Sequence, residues 1–178
     1  MIVPEFEIAS GIDVDETYPA ELPAEQVPVY LSQLKAEAYR NRVGVEDVLI
    51  TADTVVIVDD VILGKPADRA EAVAMLTTLC GRSPVVVPGV TITTATAQES
   101  FSQATTVHFD PLSTAEIEHY VDCYRPFDKA GAYGIQEWIG AAAIRGIEGS
   151  FYNVMGLPIH QVFLALRRLQ AIQIAPHL

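Results

Sequence analysis

The chain has 178 residues, and its 11 lysines and arginines against 23 aspartates and glutamates give a net charge of −12. This length suits one domain, predicted here to span residues 1–178, and a composition that is half hydrophobic argues against disorder. The acidic balance disfavours nucleic-acid polymers and anionic membranes as partners, because those surfaces are bound by clustered cations. One small phosphorylated ligand remains compatible, since a few cations or a divalent ion can reverse the local field.

The predicted elements of the first half alternate between strands and helices. Residues 1–12 predict a short strand, and the acidic residues 13–23, with two prolines, predict a loop. Apolar residues at helical spacing predict a helix over 25–42. Strands follow at 48–52 and 54–63, and then a helix over 67–79 that Gly81 can end.

The second half continues the alternation. β-branched residues predict strands at 85–94 and 104–109, joined by a polar turn at 96–102. Ser113 and Glu116 form a capping box ahead of a helix to about Cys123, and Pro126 ends that helix. Residues 127–140 predict a loop, 141–147 a strand, and 158–172 a last helix with Pro158 in its first turn. The order predicts an α/β fold with a mixed sheet flanked by helices.

Targeting and redox signals are few. Cys80 and Cys123 show no CxxC spacing, so we expect neither a disulfide framework nor a zinc site, and a reducing compartment fits. The first residues lack the basic and apolar regions of a signal peptide, and no apolar stretch approaches 18 residues. These features predict a cytoplasmic protein.

The most informative segment is residues 51–66, TADTVVIVDDVILGKP. Asp53 lies in an apolar strand, where a carboxylate is costly unless a cation, a metal or hydrogen bonds hold it. Two apolar runs joined near Asp59 and Asp60 predict a hairpin that brings Asp53 and Lys65 to the same end of a sheet. Such a pair suits metal-assisted chemistry on a phosphorylated substrate, and the alternative is a structural ion pair.

A second candidate segment is residues 128–136, DKAGAYGIQ. Its small residues let a ligand approach the backbone, and Gln136 can both donate to and accept from a base edge. An ordinary turn with a satisfied amide is the alternative. The sequence shows no Ser-His-Asp arrangement, no base partner for either cysteine, no Walker loop and no dinucleotide fingerprint.

These motifs resemble the Maf family of nucleoside triphosphate pyrophosphatases in order and spacing, from about residue 6 to the last helix. The matching segments are Asp15-Glu16, Leu34-Lys35-Ala36, Ala52-Asp53-Thr54-Val55-Val56, Leu63-Gly64-Lys65-Pro66, residues 128–136, Glu148-Gly149-Ser150 and Val154-Met155-Gly156-Leu157-Pro158. The resemblance implies a fold like that of the inosine triphosphate pyrophosphatases, with an elongated mixed sheet and a nucleotide cleft between two lobes. It also implies hydrolysis of a nucleoside triphosphate to the monophosphate and pyrophosphate with Mg²⁺ or Mn²⁺, and a homodimer.

The same resemblance assigns roles to residues. Asp53 would be the catalytic carboxylate, acting on water or on the metal, and Glu16 would help hold the metal or the water. Lys35 and Lys65 would bind the triphosphate and stabilise the charge that develops during transfer. The substrate-binding candidates are Gln136, Thr54 and Lys129.

The amino-acid sequences of the segments around Asp53 and Gln136 resemble those of the family branch that hydrolyses dTTP and UTP. The resemblance implies modified pyrimidine nucleotides as further substrates. Two alternatives stay open. One is a non-catalytic nucleotide-binding or regulatory protein, since the family has been linked to septum formation. The other is the same chemistry on 7-methyl-GTP.

The sequence departs from the family at three places. Family members begin with a strand and a Ser-x-Ser-Pro-Arg-Arg loop, whereas Met1 stands where that loop and the following helix would already have ended. Either the sequence is truncated, or the true start lies upstream, or this phosphate clamp is lacking. In the last case we expect severely weakened catalysis, because an arginine that bridges phosphates contributes about 10³–10⁵ in rate. Pro84 and Val85 replace a usual His and Glu, and Asp110 replaces an Arg near the expected cleft.

Overall fold

The computed structural model describes residues 12–169, so the predicted first strand and the end of the last helix lie outside the described residues. The strands are β1 (Leu49–Val58), β2 (Val61–Leu63), β3 (Val85–Thr93), β4 (Gln98–Ser102), β5 (Thr105–Phe109) and β6 (Ile144–Glu148). The helices are α1 (Val27–Tyr39), α2 (Arg69–Leu79), α3 (Thr114–Tyr124), α4 (Trp138–Ala143), α5 (Phe151–Val154) and α6 (Ile159–Arg168). Short 3-10 helices cover Ala24–Gln26, Arg40–Arg42 and Ala130–Ala132.

The six strands form one sheet in the order β2-β1-β3-β5-β6, and β4 pairs with β3 beside this path. Every pairing between these strands is antiparallel. Alternate residues of β1 face opposite sides, so Val55 and Ile57 pack with α1, whereas Val56 and Val58 pack with residues of α2 and α3. The predicted α/β fold with a sheet flanked by helices is confirmed, and the sheet of the described strands is antiparallel where a mixed sheet was expected.

The hairpin predicted at residues 51–66 is confirmed. β1 pairs with β2 from Val56 opposite Leu63 to Val58 opposite Val61. Asp59 and Asp60 form the turn with φ angles of 48° and 63°. Two-residue hairpin turns require such left-handed angles, and aspartate tolerates them better than most residues.

Two predictions of local structure need correction. The predicted polar turn at 96–102 is wrong over most of its length, because Gln98–Ser102 forms β4 and the turn lies at residues 94–97. The predicted loop at 127–140 holds a 3-10 helix and the start of α4, so the strand predicted at 141–147 begins only at Ile144. Gly140 lies inside α4, and the residue there is glycine because a Cβ would stand 1.8 Å from the carbonyl oxygen of Ile135. This glycine therefore permits close packing and does not form a turn.

The predicted capping box is confirmed at the start of α3. The Ser113 hydroxyl accepts from the Glu116 backbone N–H, and the Glu116 carboxylate accepts from the Ser113 backbone N–H at 2.7 Å. This exchange satisfies two backbone donors that a helix start otherwise leaves unpaired.

Between residues 12 and 169, none of the helices combines the length and the apolar character that a bilayer-spanning segment needs.

Candidate active site

A cavity of about 470 Å³ opens beside β1, between the segment after β2 and the segment before α4. A volume of this size is usual for a small-molecule site. Six of the residues predicted from the sequence line it: Lys35, Asp53, Thr54, Lys65, Lys129 and Gln136. The seventh candidate, Glu16, does not line the cavity but contacts Lys35 from the loop before α1.

The packing of α1 on the sheet sets the distance between Lys35 and Asp53. Gly89 of β3 makes room for the helix, because a Cβ there would lie 2.2 Å from the backbone carbon of Pro28. The Thr51 hydroxyl, two residues before Asp53, donates to the carbonyl of Ser32 at 2.7 Å. Ser32 is three residues before Lys35, so this bond joins the two elements beside the site.

Lys35 lies between two carboxylates. Its Nζ donates to Asp53 Oδ1 at 2.6 Å and lies 3.0 Å from Glu16 Oε1. The Asp53 side chain is 17% exposed and that of Glu16 51% exposed. The cation required to hold a carboxylate in an apolar strand is therefore Lys35.

Burial and ion pairing act against each other in this cluster. Burial lowers the pKa of Lys35, but its contacts with Asp53 and Glu16 outweigh burial and leave that pKa raised. Burial raises the pKa of Asp53, against the opposing effect of Lys35. Asp53 is thus a stronger base than an exposed aspartate, beside a lysine that keeps its proton.

Asp53 and Asp128 line the cavity and Glu16 lies beside it, and of these carboxylates Asp53 and Glu16 converge on Lys35. Within residues 12–169, no group of three or more His, Cys, Asp or Glu side chains is arranged to hold a metal. Mg²⁺ is usually bound by one or two carboxylates together with water and substrate phosphates. Two carboxylates that converge on one ammonium group fit an ion of that kind, which would take its remaining ligands from a phosphorylated substrate.

Lys65 differs from the other lysines of the cavity. Lys35 and Lys129 each pair with two carboxylates, whereas Lys65 makes no ion pair within 4.0 Å in the part of the chain that the structure describes. Its charge acts on Asp53 and Asp128 at longer range. Lys65 is therefore the lysine with the most charge available to an incoming anion.

The opposite side of the cavity comes from residues 128–136 and 154–156. The Gln136 side chain has no hydrogen bond to any residue from 12 to 169, so the satisfied amide considered above is not observed. The Thr54 hydroxyl donates to the carbonyl of Gly156 at 3.2 Å and joins β1 to the second of these segments. Val154 and Met155 were missed as lining residues, although the motif that contains them had been noticed.

The three substitutions expected near the cleft lie elsewhere. Pro84, Val85 and Asp110 are not among the lining residues, and Asp110 pairs with Arg145 at 3.0 Å on the surface. The reversed charge at Asp110 therefore has a local partner, and none of the three changes removes a group from the cavity.

Two further side-chain clusters lie outside the cavity. The Ser83 hydroxyl lies 2.8 Å from His108 Nδ1, and His108 Nε2 lies 3.1 Å from Glu148 Oε1, which is a Ser-His-Glu contact and not a Ser-His-Asp arrangement. The expectation that neither cysteine has a base partner was wrong, because Cys123 Sγ is 3.7 Å from His119 Nδ1 one helical turn away.

Three lysines in one cavity with a largely buried aspartate suit the binding of a small phosphorylated molecule, because clustered cations attract an anion. The family model described as "Maf-like protein" matches residues 1–169, and the chain belongs to this family. The resemblance drawn from the motifs is therefore confirmed.

Three similar relatives carry the same name. A "dTTP/UTP pyrophosphatase" of Porphyromonas gingivalis is 55% identical over 164 residues, which are 91% of this chain and 82% of the relative. Proteins of the same name from Bacteroides thetaiotaomicron and Christiangramia forsetii are 52% and 43% identical. These matches cover 88% and 93% of this chain, and 81% and 86% of the relatives.

Proposed function

We propose that this protein hydrolyses dTTP and UTP to the nucleoside monophosphate and pyrophosphate. The observation that carries the proposal is the single cavity shared by Asp53, Lys35 and Lys65 in a chain whose net charge is −12. A triphosphate tail is attracted to such a local cluster of cations despite the acidic molecule around it. The names of the relatives support the choice of substrate.

The reaction follows from the placement of charge. Phosphoryl transfer depends mainly on positioning the reactants and on neutralising phosphate oxygens. Lys65 would bind the incoming polyphosphate, and Lys35 would stabilise the charge that develops beside Asp53. Asp53 would accept the proton of the water that attacks the α–β anhydride. In the metal-free protein burial raises the pKa of Asp53, which favours acceptance of a proton.

The cofactor in this proposal is Mg²⁺ or Mn²⁺, held by Asp53 and Glu16. Such an ion supplies further neutralisation of the phosphate oxygens when it is bound. The chain's own part is to present two carboxylates of different exposure, with Lys35 between them.

The nucleoside part would be bound by the residues opposite β1. The Gln136 side chain, which has no hydrogen bond within residues 12–169, offers a carbonyl and an amide group, and a pyrimidine edge presents both donors and acceptors. Thr54 and Lys129 complete the proposed contacts from either side of the cavity.

The domain organisation, cellular location and partners of the protein belong to the same proposal. We infer one domain over residues 1–178, a cytoplasmic location, a role in removing unwanted nucleotides, and no nucleic-acid polymer or membrane as partner. A homodimer is supported by five exposed large apolar side chains on and around α5 and α6: Phe151, Tyr152, Met155, Ile159 and Phe163. Analytical ultracentrifugation tests it: the wild type should sediment as a dimer and Ile159→Glu as a monomer.

The test of the activity is pyrophosphate release from dTTP, UTP and 7-methyl-GTP with Mn²⁺ or Mg²⁺. Asp53→Asn should lower turnover about 10²–10⁴-fold, the usual contribution of a general base. Asp60→Asn is the matched control, since it makes the same chemical change in the turn of the same hairpin. Equal activity of the wild type and Asp53→Asn would remove Asp53 from the mechanism.

The same panel separates the alternatives. Binding of dTTP without turnover would favour a regulatory nucleotide-binding protein. A strong preference for 7-methyl-GTP would assign the chain to the same chemistry on that nucleotide instead of on dTTP and UTP.

A further inference from the structure

Glu137 lies directly after Gln136, and its carboxylate contacts Lys129 and Tyr120 behind residues 128–136. Its Oε1 lies 3.4 Å from Lys129 Nζ, and its Oε2 accepts a hydrogen bond from the Tyr120 hydroxyl. The same hydroxyl oxygen accepts from the backbone N–H of Gly134 at 3.1 Å. Tyr120 belongs to α3 and is fully buried, so it is a fixed anchor behind the segment.

The protonation of Tyr120 supports this arrangement. Burial and the hydrogen bond to Glu137 raise the pKa of the phenol far above its ordinary value. The hydroxyl therefore keeps its proton at neutral pH and donates it to the Glu137 carboxylate.

Gly134 shows how closely the two charged side chains pack over the segment. A Cβ at this position would lie 2.9 Å from Glu137 Cδ and 3.1 Å from Lys129 Cε. The side chains of Lys129 and Glu137 therefore cross directly above the backbone of Gly134. Their ion pair depends on the absence of a side chain there.

Lys129 is shared between two carboxylates that differ in exposure. Asp128 is 76% exposed and lies 2.8 Å from Lys129 Nζ, whereas Glu137 is 18% exposed. Asp128 is an exposed residue that lines the cavity, whereas Glu137 does not line it and holds the ammonium group against the backbone of Gly134. Without the charge of Glu137, Lys129 would pair with the exposed Asp128 alone and would be held less firmly in its place at the cavity.

We propose that Glu137, held by Tyr120, is a positioning residue that keeps the Lys129 ammonium group at the cavity for an anionic nucleotide. The proposal rests on the proposed function, because it takes Lys129 as a nucleotide contact. Glu137 acts through Lys129 and does not itself touch the reacting atoms. It therefore affects affinity for the nucleotide rather than the chemical step.

A double-mutant cycle tests this role with dTTP as the probe. Glu137→Gln keeps an oxygen for the Tyr120 hydroxyl but loses the charge that faces Lys129. We expect it to raise KM roughly three- to thirty-fold with little change in kcat, since ion-paired neighbours couple over about this range. Lys129→Gln should have a similar effect, and the double variant should be no worse than Lys129→Gln alone.

The controls separate positioning from folding. Glu148→Gln removes a carboxylate outside the cavity and should leave KM unchanged. Thermal unfolding of each variant reports whether the fold is kept. If Glu137→Gln does not fold, Tyr120→Phe gives the answer, because it keeps the ring but releases Glu137 and should also raise KM.

Calorimetric dTTP binding by the same variants distinguishes this inference from the proposed function. Turnover by the wild type with additive effects in the cycle would overturn the role of Glu137 alone. Coupled effects on dTTP affinity without turnover by the wild type would overturn the hydrolase proposal alone. Failure of the wild type to bind dTTP would overturn both.

Discussion

The two sides of the cavity are built in different ways. The sheet wall, formed by β1, β2, the Lys65 segment and α1, holds Asp53 and Lys35 by regular backbone pairing and helix packing, and Lys65 follows two residues after the end of β2. The loop wall, residues 128–137, holds Lys129 and Gln136 through a few side-chain contacts around Gly134. Because a ladder of many hydrogen bonds holds the sheet wall, changes to its polar side chains should alter chemistry without moving the wall. Changes in the loop wall should alter its geometry and thus affinity.

Among changes that remove a charge without disturbing the fold, we expect the largest effect on dTTP affinity at Lys65 in the sheet wall. Lys65→Met should raise KM for dTTP roughly 10–100-fold, because hydrogen bonds to charged groups contribute about 1.5–3 kcal/mol. Its midpoint of chemical unfolding should stay at the wild-type value, since the exposed Lys65 makes no close ion pair within residues 12–169.

Steady-state kinetics and urea unfolding measure both quantities. Lys65→Arg, which keeps the charge, should recover most of the affinity. A large loss of stability in Lys65→Met would show that the sheet wall also depends on individual side chains.

Glycine substitutions on the two sides give the next comparison. Gly89→Ala should lower the free energy of unfolding by about 1–3 kcal/mol, because its Cβ would press on the backbone of α1 and the helix would have to move. Gly134→Ala should cost less stability but raise KM for dTTP, because its Cβ would meet the ends of Glu137 and Lys129, which can move aside. Equal losses of stability, measured by urea unfolding, would contradict the difference between the walls.

The smallest expected effect concerns α3, which carries Tyr120 behind the loop wall. Hydrogen bonds from Ser113 lower the pKa of Glu116 below its value of 4.5 in an unfolded chain. The unfolded chain therefore binds the proton first, so this contribution to stability is complete above pH 4.5 and is lost as pH falls through the lower folded-state pKa.

Glu116→Gln should remove this part of the acid dependence. The measurement is the unfolding midpoint at a series of pH values from neutral to acidic, with Glu118→Gln on the same helix as the matched control. An acid dependence that is the same in the wild type and Glu116→Gln would refute the assignment.

The sequence predicted the sheet wall better than the loop wall, for physical reasons. The hairpin follows from local signals, namely two apolar runs and an Asp-Asp turn that tolerates left-handed angles. The capping box likewise lies within four residues. Such short-range preferences are visible without knowledge of the fold.

The loop wall depends on contacts that the sequence does not display. Tyr120 and Glu137 are 17 residues apart, and only the packing of α3 behind the cavity brings them together. β4 was missed because its polar residues resemble a turn, although backbone pairing with β3 makes it a strand. α4 was missed because the glycine that permits its close packing resembles a loop residue.

The most direct test of the central claim is ³¹P NMR of dTTP turnover by the wild type and by Asp53→Asn. A cavity in which Lys35 and Lys65 bind the triphosphate and Asp53 activates water predicts dTMP and pyrophosphate as the products of the wild type. The variant should form both at least about a hundred times more slowly, as expected when a general base is removed. Release of orthophosphate and dTDP, or equal rates in the two proteins, would contradict the claim.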